Sequence, residues 1–433
     1  YPENPEAGID LFLEKLVQET EKEHEDILEQ VDETDAMFGE LYSWYLRNPE
    51  YRSRVQKLVQ SAFAGKPEDI ISQSVAKALY GEVSPYSATR LERFAACAFA
   101  HFLQYGMKLT ERVEYEFKPM DMGNVMHEAL ESFAEEVRKR GMKWTELTEQ
   151  ERNEIADRCL DNIVADYGNT VLKSSARNEY MIERTRRILR RTVWALQKQL
   201  EQGEFQPEGF EVTFGGGRID RVDIMEDQNK VYVKVIDYKT GNTSFDLVYL
   251  YHGLQLQLMI YLDGALRVEQ KKYPDKEIIP AGVFYYNIKD PMIQEKIDAD
   301  VEAVSAGLMK ELKMNGLVQA DPELVYRMDS SLGSIPVAFN KDGSFRKNSS
   351  VADRTQFAVL GRYVRTKIEK IRSSILEGDA EVSPYELGKK NACTYCPYMT
   401  VCGFDRRLSG YEFRRLKNFS DEELWKAFDR EAE

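Results

Sequence analysis

Two short segments of the sequence carry acidic and basic side chains at a spacing that suits metal-dependent hydrolysis. They are Gly217-Arg218-Ile219-Asp220 and Ile236-Asp237-Tyr238-Lys239. Two carboxylates a few ångströms apart repel each other unless a cation lies between them, and oxygen ligands favour a hard ion such as Mg²⁺ or Mn²⁺. A neighbouring lysine supplies a point charge for a phosphate oxygen and can hold an attacking water. The alternative is an exposed hairpin with ordinary surface charges, because Asp-x-Lys is a common sequence.

These segments fall in the part of the chain that is most typical of β-strands. Residues 210–225 and 230–239 alternate apolar and polar side chains and are separated by the turn-prone segment 226–229, which predicts a β-hairpin. A further strand is predicted at 281–288, after a helix at 249–270.

The register of this hairpin decides whether the charged side chains meet. If a four-residue connection closes it symmetrically, Asp220 faces Val235 and Arg218 faces Asp237. Asp220, Asp237 and Lys239 then project from one face of the sheet, whereas a slip of one residue would separate them.

Most of the remaining sequence predicts helices. The predicted helices are 9–30, 33–79 with breaks at Asn48-Pro49 and Gly65-Lys66-Pro67, 84–105, 123–140, 148–167 and 178–202, and Ser420-Asp421-Glu422-Glu423 is a capping box before a last helix. The helix 178–202 carries Arg184, Arg186, Arg187, Arg190 and Arg191. This arginine cluster is interpreted as a solvated face, with a DNA contact as the alternative.

The composition indicates a globular protein of two or three domains. The chain has 433 residues, 42% of them hydrophobic and 31% charged, which is enough to bury a core. Without an apolar run of roughly 18 to 20 residues or an export signal, a soluble cytoplasmic protein is expected. The first forty residues hold fourteen acidic residues against two lysines, whereas residues 343–417 hold fifteen basic residues against eight acidic ones. The net charge of −15 therefore does not exclude a phosphate-binding face within 343–417.

Two flanking segments extend the pattern of the hairpin. Gly123-Asn124-Val125-Met126-His127-Glu128 precedes it, and Leu254-Gln255-Leu256-Gln257-Leu258-Met259-Ile260-Tyr261 follows it. The order His, Gly-x-x-Asp, Asp-x-Lys and Gln-x-x-x-Tyr resembles the RecB-type branch of the PD-(D/E)XK nucleases. Taken singly, the histidine is more typical of a structural residue and the second segment of a core helix.

The resemblance implies a fold and a set of roles. The fold is an α/β restriction-endonuclease-like core, a small mixed sheet flanked by helices, with additional helical segments. His127, Asp220, Asp237 and the Tyr238 carbonyl are implied as ligands of Mg²⁺ or Mn²⁺, and Lys239 as the catalytic lysine. Gln257 and Tyr261 match the helix motif that orients the lysine and DNA, and Gln255 is a competing register for that glutamine.

The cysteines predict a second metal site. Cys393, Cys396 and Cys402 form a C-x2-C-x5-C motif whose close thiolates suit a soft metal, and the long chain without an export signal argues against a disulfide framework. Zinc or an iron-sulfur cluster needs a fourth thiolate, for which Cys97 and Cys159 are the candidates. Cys159 lies in the middle of a predicted helix and is expected to be a buried apolar residue. From spacing alone, zinc and an iron-sulfur cluster both remain open.

A second resemblance bears on this choice. One upstream cysteine and three downstream is the iron-staple arrangement of AddB-type nuclease domains and of the CRISPR-associated RecB-like exonucleases. The segments 87–94, 280–285 and 313–318 look specifically like the AddB type, and the resemblance covers about residues 84 to 410. It implies a 4Fe-4S cluster held by Cys97, Cys393, Cys396 and Cys402.

The functional expectation combines both resemblances. They imply a metal-dependent DNA exonuclease domain of a bacterial AddAB-type helicase-nuclease that acts in double-strand break repair by homologous recombination. The implied partners are single-stranded DNA fed from a helicase, cut on the strand that ends 5′, and an AddA-like subunit. Alternatives are a non-catalytic DNA-binding scaffold with a nuclease-like fold and a free-standing RecB-like exonuclease.

The expected domains follow from the same resemblance. Residues 1–83 would be an acidic helical connector from a missing helicase-like region, 84–410 the nuclease domain with its staple, and 411–433 a helical tail. The sequence has no G-x-x-x-x-G-K-[ST] motif, so this chain is not expected to bind ATP or unwind DNA by itself.

Overall fold

The structure is a computed structural model that describes residues 33–62, 70–81, 87–110, 119–166, 175–215, 217–293, 300–408 and 410–432. The predicted helix 9–30 and the predicted break at Gly65-Lys66-Pro67 lie outside the described residues. The chain divides into two compact units, a smaller one of residues 1–79, 96–108 and 375–417 and a larger one of 80–95, 109–374 and 418–433. The domain limits 1–83, 84–410 and 411–433 stay a prediction.

A six-stranded mixed sheet forms the centre of the larger unit and carries both acidic segments. Its strands, in spatial order, are β1 (Gln206–Phe214), β2 (Gly217–Asp227), β3 (Lys230–Lys239), β4 (Glu277–Asn287), β5 (Asn315–Gln319) and β6 (Val351–Ala352). The pairs β3–β4 and β5–β6 are parallel, and the other three neighbouring pairs are antiparallel. Strands β3 and β4 are buried along most of their length, as expected for central strands covered on both faces.

The predicted length of the hairpin turn is wrong, but each side chain lies on the face of the sheet that was predicted for it. Asp227 pairs with Lys230 and Val222 pairs with Val235, so the turn has two residues instead of four. Each partner is therefore displaced by two positions from the predicted register. Because side chains alternate faces with a period of two, a shift of two residues leaves every side chain on its predicted face.

The predicted strand 210–225 is in fact two strands. The chain reverses between Phe214 and Gly217, which pair with each other at the end of the β1–β2 hairpin. Gly217 has a φ of +151°, a conformation that only glycine adopts readily. The run of glycines at 215–217 was the signal for this turn.

Helices cover both faces of the sheet. The α-helices of the described residues are α1 (Glu33–Arg47), α2 (Pro49–Ala62), α3 (Gln73–Tyr80), α4 (Ala88–Ala96), α5 (Ala98–His101), α6 (Pro119–Lys139), α7 (Glu149–Asp166), α8 (Ala176–Glu201), α9 (Leu247–Tyr251), α10 (Gln257–Lys272), α11 (Val301–Glu311), α12 (Pro322–Met328), α13 (Arg354–Glu377), α14 (Met399–Cys402) and α15 (Asp421–Ala432). One hydrophobic core joins α6, α7 and α8 to side chains of the sheet such as Ile236 and Phe284. Helix α10 packs against β3 and β4 and crosses over between these parallel strands. None of the helices described is both long and apolar enough to cross a membrane.

Two predicted helices are interrupted. The segment 249–270 is divided into α9 and α10, because Gly253 adopts a φ of +79° and ends the first helix. The segment 84–105 is divided at Cys97, which has an extended backbone (φ −166°) before α5.

A buried ion cluster lies in β2 and β3 on the face that packs against α6 to α8. Asp223 is fully buried and accepts hydrogen bonds from Arg221 Nε (2.5 Å) and Nη2 (2.9 Å), and it pairs with Lys234 Nζ at 2.8 Å. The Arg221 guanidinium lies over the rings of Trp144 and Phe210 at 5.5 and 5.6 Å. Each buried charge of the cluster therefore has a partner of opposite charge nearby, which offsets the cost of removing it from water.

The smaller unit contains an aromatic cluster and a small sheet. Three aromatic rings of α1 and α2 contact one another: Trp44 stacks on Tyr51, and Tyr45 meets both rings edge to face. Three short strands, β7 (Tyr385–Leu387), β8 (Lys390–Asn391) and β9 (Arg414–Arg415), form a sheet in the order β8-β7-β9. The cysteine motif lies in the connection between β8 and β9.

Candidate active site

Three carboxylates lie side by side across three neighbouring strands. The residues that flank Glu211 in β1 and Asp220 in β2 are paired, and Asp220 and Asp237 continue the ladder of β2 and β3 by one position beyond its last pair. The row is therefore Glu211, Asp220 and Asp237. The last two are 8% and 1% exposed.

His127 reaches this row from α6. Its Nδ1 lies 3.4 Å from Asp220 Oδ2 and 3.8 Å from Glu211 Oε1. The ligand atoms of His127, Glu211 and Asp220 lie within 4.8 Å of one another, the one such group in the part of the chain that the structure describes. A nitrogen and carboxylate oxygens at this spacing suit a divalent cation.

The electrostatics of the row favour a bound cation. Burial and then the Asp237 charge raise the pKa of Asp220 to about 7, and burial raises the pKa of Asp237. Burial alone would lower the pKa of His127, but the hydrogen bond with Glu211 and the charge of Asp220 raise it. A divalent ion that binds these groups would therefore compete with protons for them.

Lys239 is held beside Asp237 by a short chain of hydrogen bonds. Its Nζ lies 2.5 Å from Asp237 Oδ2 and donates to Gln257 Oε1 at 2.8 Å. Gln257 Nε2 in turn donates to the Tyr261 hydroxyl at 2.9 Å. Gln255 does not take part, because it accepts from the Asp246 N–H and donates to the Ser244 carbonyl in the preceding loop. The geometry thus selects Gln257 between the two registers that the sequence left open.

Glu92 fixes the helix that carries this glutamine. Its Oε1 accepts the backbone N–H groups of Leu256 (2.7 Å) and Gln257 (2.9 Å) at the start of α10. A carboxylate there caps the helix and interacts favourably with its dipole. Burial raises the pKa of Glu92 to about 7.

Tyr238 supports the centre from the opposite face of β3. Its backbone N–H donates to Asp220 Oδ2 at 2.7 Å, and its buried ring meets that of His127 edge to face at 6.0 Å. The role of its carbonyl as a ligand stays a prediction.

The four cysteines of the predicted staple line one small cavity in the smaller unit. Cys97, Cys393, Cys396 and Cys402 surround a space of about 20 Å³ together with apolar neighbours that include Tyr398. Burial and then the neighbouring thiols raise the pKa of Cys393 to about 12, so thiolates would form here only with a cation. The donor set of four thiols fits zinc or an iron-sulfur cluster. Cys159 instead packs in the hydrophobic core of the larger unit, as expected.

The sequence interpretation missed two residues of the site. Glu211 is opposite Asp220 because the chain reverses between Phe214 and Gly217, and a turn predicted at this glycine-rich part of the sequence would have revealed it. Glu211 also has a positive φ of 49°, which is uncommon for a residue with a side chain. Glu92 lies 164 residues before the N–H of Leu256 that it binds, and no local pattern connects the two.

Comparison with known proteins defines the class of protein to which this site belongs. Residues 85–403 match the family model of the PD-(D/E)XK nuclease superfamily. The chain belongs to this superfamily, and the mixed sheet flanked by helices confirms the predicted fold class.

The chain is also similar to a part of several longer proteins. It is 41% identical, over 93% of its length, to the B subunit of the ATP-dependent helicase/deoxyribonuclease of Lachnoclostridium phytofermentans. Proteins of the same name from Thermoanaerobacter pseudethanolicus and Alkaliphilus metalliredigens are each 34% identical over 93% and 94% of the chain. The chain spans 36 to 38% of the length of these relatives, so it corresponds to a part of each. The resemblance to the AddB type that the sequence indicated is confirmed.

Proposed function

We propose that this chain is a metal-dependent nuclease domain that hydrolyses DNA phosphodiester bonds as part of an AddAB-type helicase-nuclease in double-strand break repair. The observation that carries the proposal is the row of carboxylates with His127 at one side and Lys239, held by Gln257, at the other. The proposed DNA substrate agrees with the cytoplasmic location that the sequence indicated.

The residues of the site have three different roles: metal binding, stabilisation of charge on the phosphate, and positioning of the lysine. His127, Asp220, Asp237 and Glu211 would hold Mg²⁺ or Mn²⁺, which supplies Lewis acidity and lowers the pKa of a water. Lys239 donates to a phosphate oxygen and stabilises the charge that develops there. Gln257 fixes the lysine, and Tyr261 fixes the glutamine.

The test uses an isosteric substitution. Asp220→Asn keeps an oxygen that accepts the Tyr238 N–H but removes the charge. Glu208→Gln removes a charge from β1 at a surface ion pair with Lys272 and serves as the control. We expect the wild type and the control to cut end-labelled single-stranded DNA with Mg²⁺ and not with EDTA. Asp220→Asn should lose at least about 100-fold in rate and bind Mn²⁺ more weakly in calorimetry.

Two outcomes favour the alternatives. A wild-type protein that binds DNA but cuts nothing with Mg²⁺ or Mn²⁺, with or without its partner, favours the non-catalytic scaffold. Cleavage without a stable complex with an AddA-type partner in gel filtration favours the free-standing exonuclease. The similarity to proteins named helicase/deoxyribonuclease supports the complex.

We further propose that Cys97, Cys393, Cys396 and Cys402 hold a 4Fe-4S cluster. All four thiols line one small cavity, which suits either a tetrahedral zinc or a cluster. The resemblance to AddB-type nuclease domains favours the cluster. Anaerobically purified protein should contain iron and sulfide, both lost in Cys396→Ser and retained in Cys159→Ser. Stoichiometric zinc without iron would contradict the proposal.

A further inference from the structure

A groove of about 670 Å³ lies beside α8 in the larger unit, at the arginine cluster. Six arginines line it: Arg152, Arg184, Arg186, Arg187, Arg190 and Arg191. Val304 and Leu308 of α11 form an apolar wall. Glu149 and Glu183 also line it, so the six arginines leave an excess of positive charge beside the apolar wall.

The arginines of α8 form a stripe with an aromatic residue at each end. Tyr180, Arg184, Arg187, Arg191 and Trp194 follow one another at intervals of four, three, four and three residues, which places them on one face of the helix. At 1.5 Å per residue, the three arginines extend over about 10 Å. Tyr180 is 65% exposed and offers its ring to a ligand.

Half of the six arginines are neutralised within the protein. Arg186 and Arg190 bind the carboxylates of Asp157 and Asp161 in α7. Arg187 binds Asp290 at 2.6 Å. These ion pairs fix the shape of the groove. Its unpaired positive charge comes from the other three arginines.

The other three have no carboxylate within 4.0 Å among the described residues. Arg152 is only 6% exposed, and burial lowers its pKa. It donates to Gln197 Oε1, while its Nε is buried without a hydrogen-bond partner. The Nε of Arg191 is buried in the same way, and its guanidinium lies over the Trp194 ring at 5.4 Å. Glu149 and Glu201 act on Arg152 only at longer range. A buried guanidinium N–H without an acceptor is costly, so an anion bound in the groove would stabilise both arginines.

A short segment of chain links this groove to the end of the sheet that carries Lys239. Lys239 is paired with Asn287 at the end of β4, and Asp290, the partner of Arg187, follows three residues later. Three residues of chain span at most about 11 Å.

We propose that this groove binds the phosphodiester backbone of single-stranded DNA, with Arg184, Arg191 and Arg152 at phosphates and bases against Tyr180 and Trp194. Arginine with interleaved aromatic rings is the combination that binds single strands without sequence preference. The proposal rests on the proposed nuclease function for the identity of the polyanion.

The test compares two double variants of equal charge. Arg184→Ala/Arg191→Ala removes the two arginines of the stripe that have no carboxylate partner among the described residues. Lys139→Ala/Lys198→Ala removes two surface cations that pair with acids on their own helices. Affinity for a fluorescent oligothymidylate is measured in EDTA, where no cleavage occurs, at several salt concentrations. We expect the arginine variant to bind at least five-fold more weakly, with the slope of log K against log salt reduced by about 1.4.

The outcomes separate this proposal from the proposed function. Equal affinities and slopes for the two double variants, at unchanged urea midpoints, would overturn the groove while leaving catalysis untouched. A wild type that binds through the groove but never cuts would contradict the nuclease alone. Titration with inorganic phosphate is the second arm: saturable phosphate binding lost in the arginine variant, with unchanged oligonucleotide affinity, would show a small-anion site and also overturn the proposal.

Discussion

Replacing Gln257 by alanine is expected to slow DNA cleavage about 10- to 30-fold without weakening DNA binding. Gln257 accepts a hydrogen bond from the Lys239 ammonium at 2.8 Å and is itself fixed by Tyr261. A hydrogen bond to a charged group contributes about 1.5–3 kcal/mol. Because the Lys239 side chain is 27% exposed, water replaces part of that interaction, and the lower end, about 1.5–2 kcal/mol, applies. Each 1.36 kcal/mol in the barrier is about tenfold in rate.

The matched control is Gln255→Ala, two residues away. Gln255 binds the backbone at Ser244 and Asp246, so its loss should lower the free energy of unfolding by about 1–2 kcal/mol but leave the cleavage rate within about three-fold. The assay is single-turnover cleavage of labelled single-stranded DNA at saturating protein and Mg²⁺, with DNA affinity measured separately in EDTA.

Two results would refute this reasoning. One is an equal loss of rate in both variants, which would mean that the loop and not the lysine contact limits cleavage. The other is a Gln257→Ala rate within two-fold of wild type, which would mean that Asp237 alone positions Lys239.

Three further predictions concern the framework of the site. Asp223→Ala should lower the free energy of unfolding by about 3–5 kcal/mol in urea titrations, because it leaves two buried cations unpaired; a loss under 1 kcal/mol would contradict this. Because the pKa of Glu92 rises from 4.5 to about 7 in the fold, the folded protein retains a proton between these pH values that the unfolded chain has released. Stability should therefore fall as pH rises through that window, by up to about 3 kcal/mol, and Glu92→Gln, which keeps the acceptor oxygen, should flatten the decline in EDTA; an unchanged pH slope would argue against it. Gly264→Ala should destabilise the protein by about 1–3 kcal/mol, because its Cβ would lie 2.6 Å from the Phe214 ring; an unchanged melting temperature would show that the ring moves at no cost.

Much of the candidate site could be predicted from the sequence because its information is local. Alternation with a period of two placed Asp220, Asp237 and Lys239 on one face, and this held although the turn was shorter than predicted, since the register changed by an even number. Helices 119–139, 149–166 and 176–201 follow from apolar periodicity, which depends only on neighbours along the chain. The spacing of the cysteines likewise indicated three members of one group.

Other features depended on contacts between distant parts of the chain. Glu92 binds the start of α10. Gln257 rather than Gln255 contacts Lys239 because α10 begins at Gln257, whereas Gln255 lies in the preceding connection and binds Ser244 and Asp246. Periodicity alone does not determine where between these two residues the helix begins.

The sequence by itself determined which residue types could carry out chemistry and the face of the sheet on which they lie. Residue types, and the alternation of side chains between the two faces of a strand, are properties of the chain that a register shift of two residues does not change. Only the tertiary structure decided that Glu211 joins the carboxylate row and that Glu92 binds the start of α10. The same holds for the arginines of α8: Arg186, Arg187 and Arg190 find acids on other elements, whereas Arg184 and Arg191 do not within the described part of the chain. The physical reason is that burial and pairing are set by long-range packing, which no local pattern records.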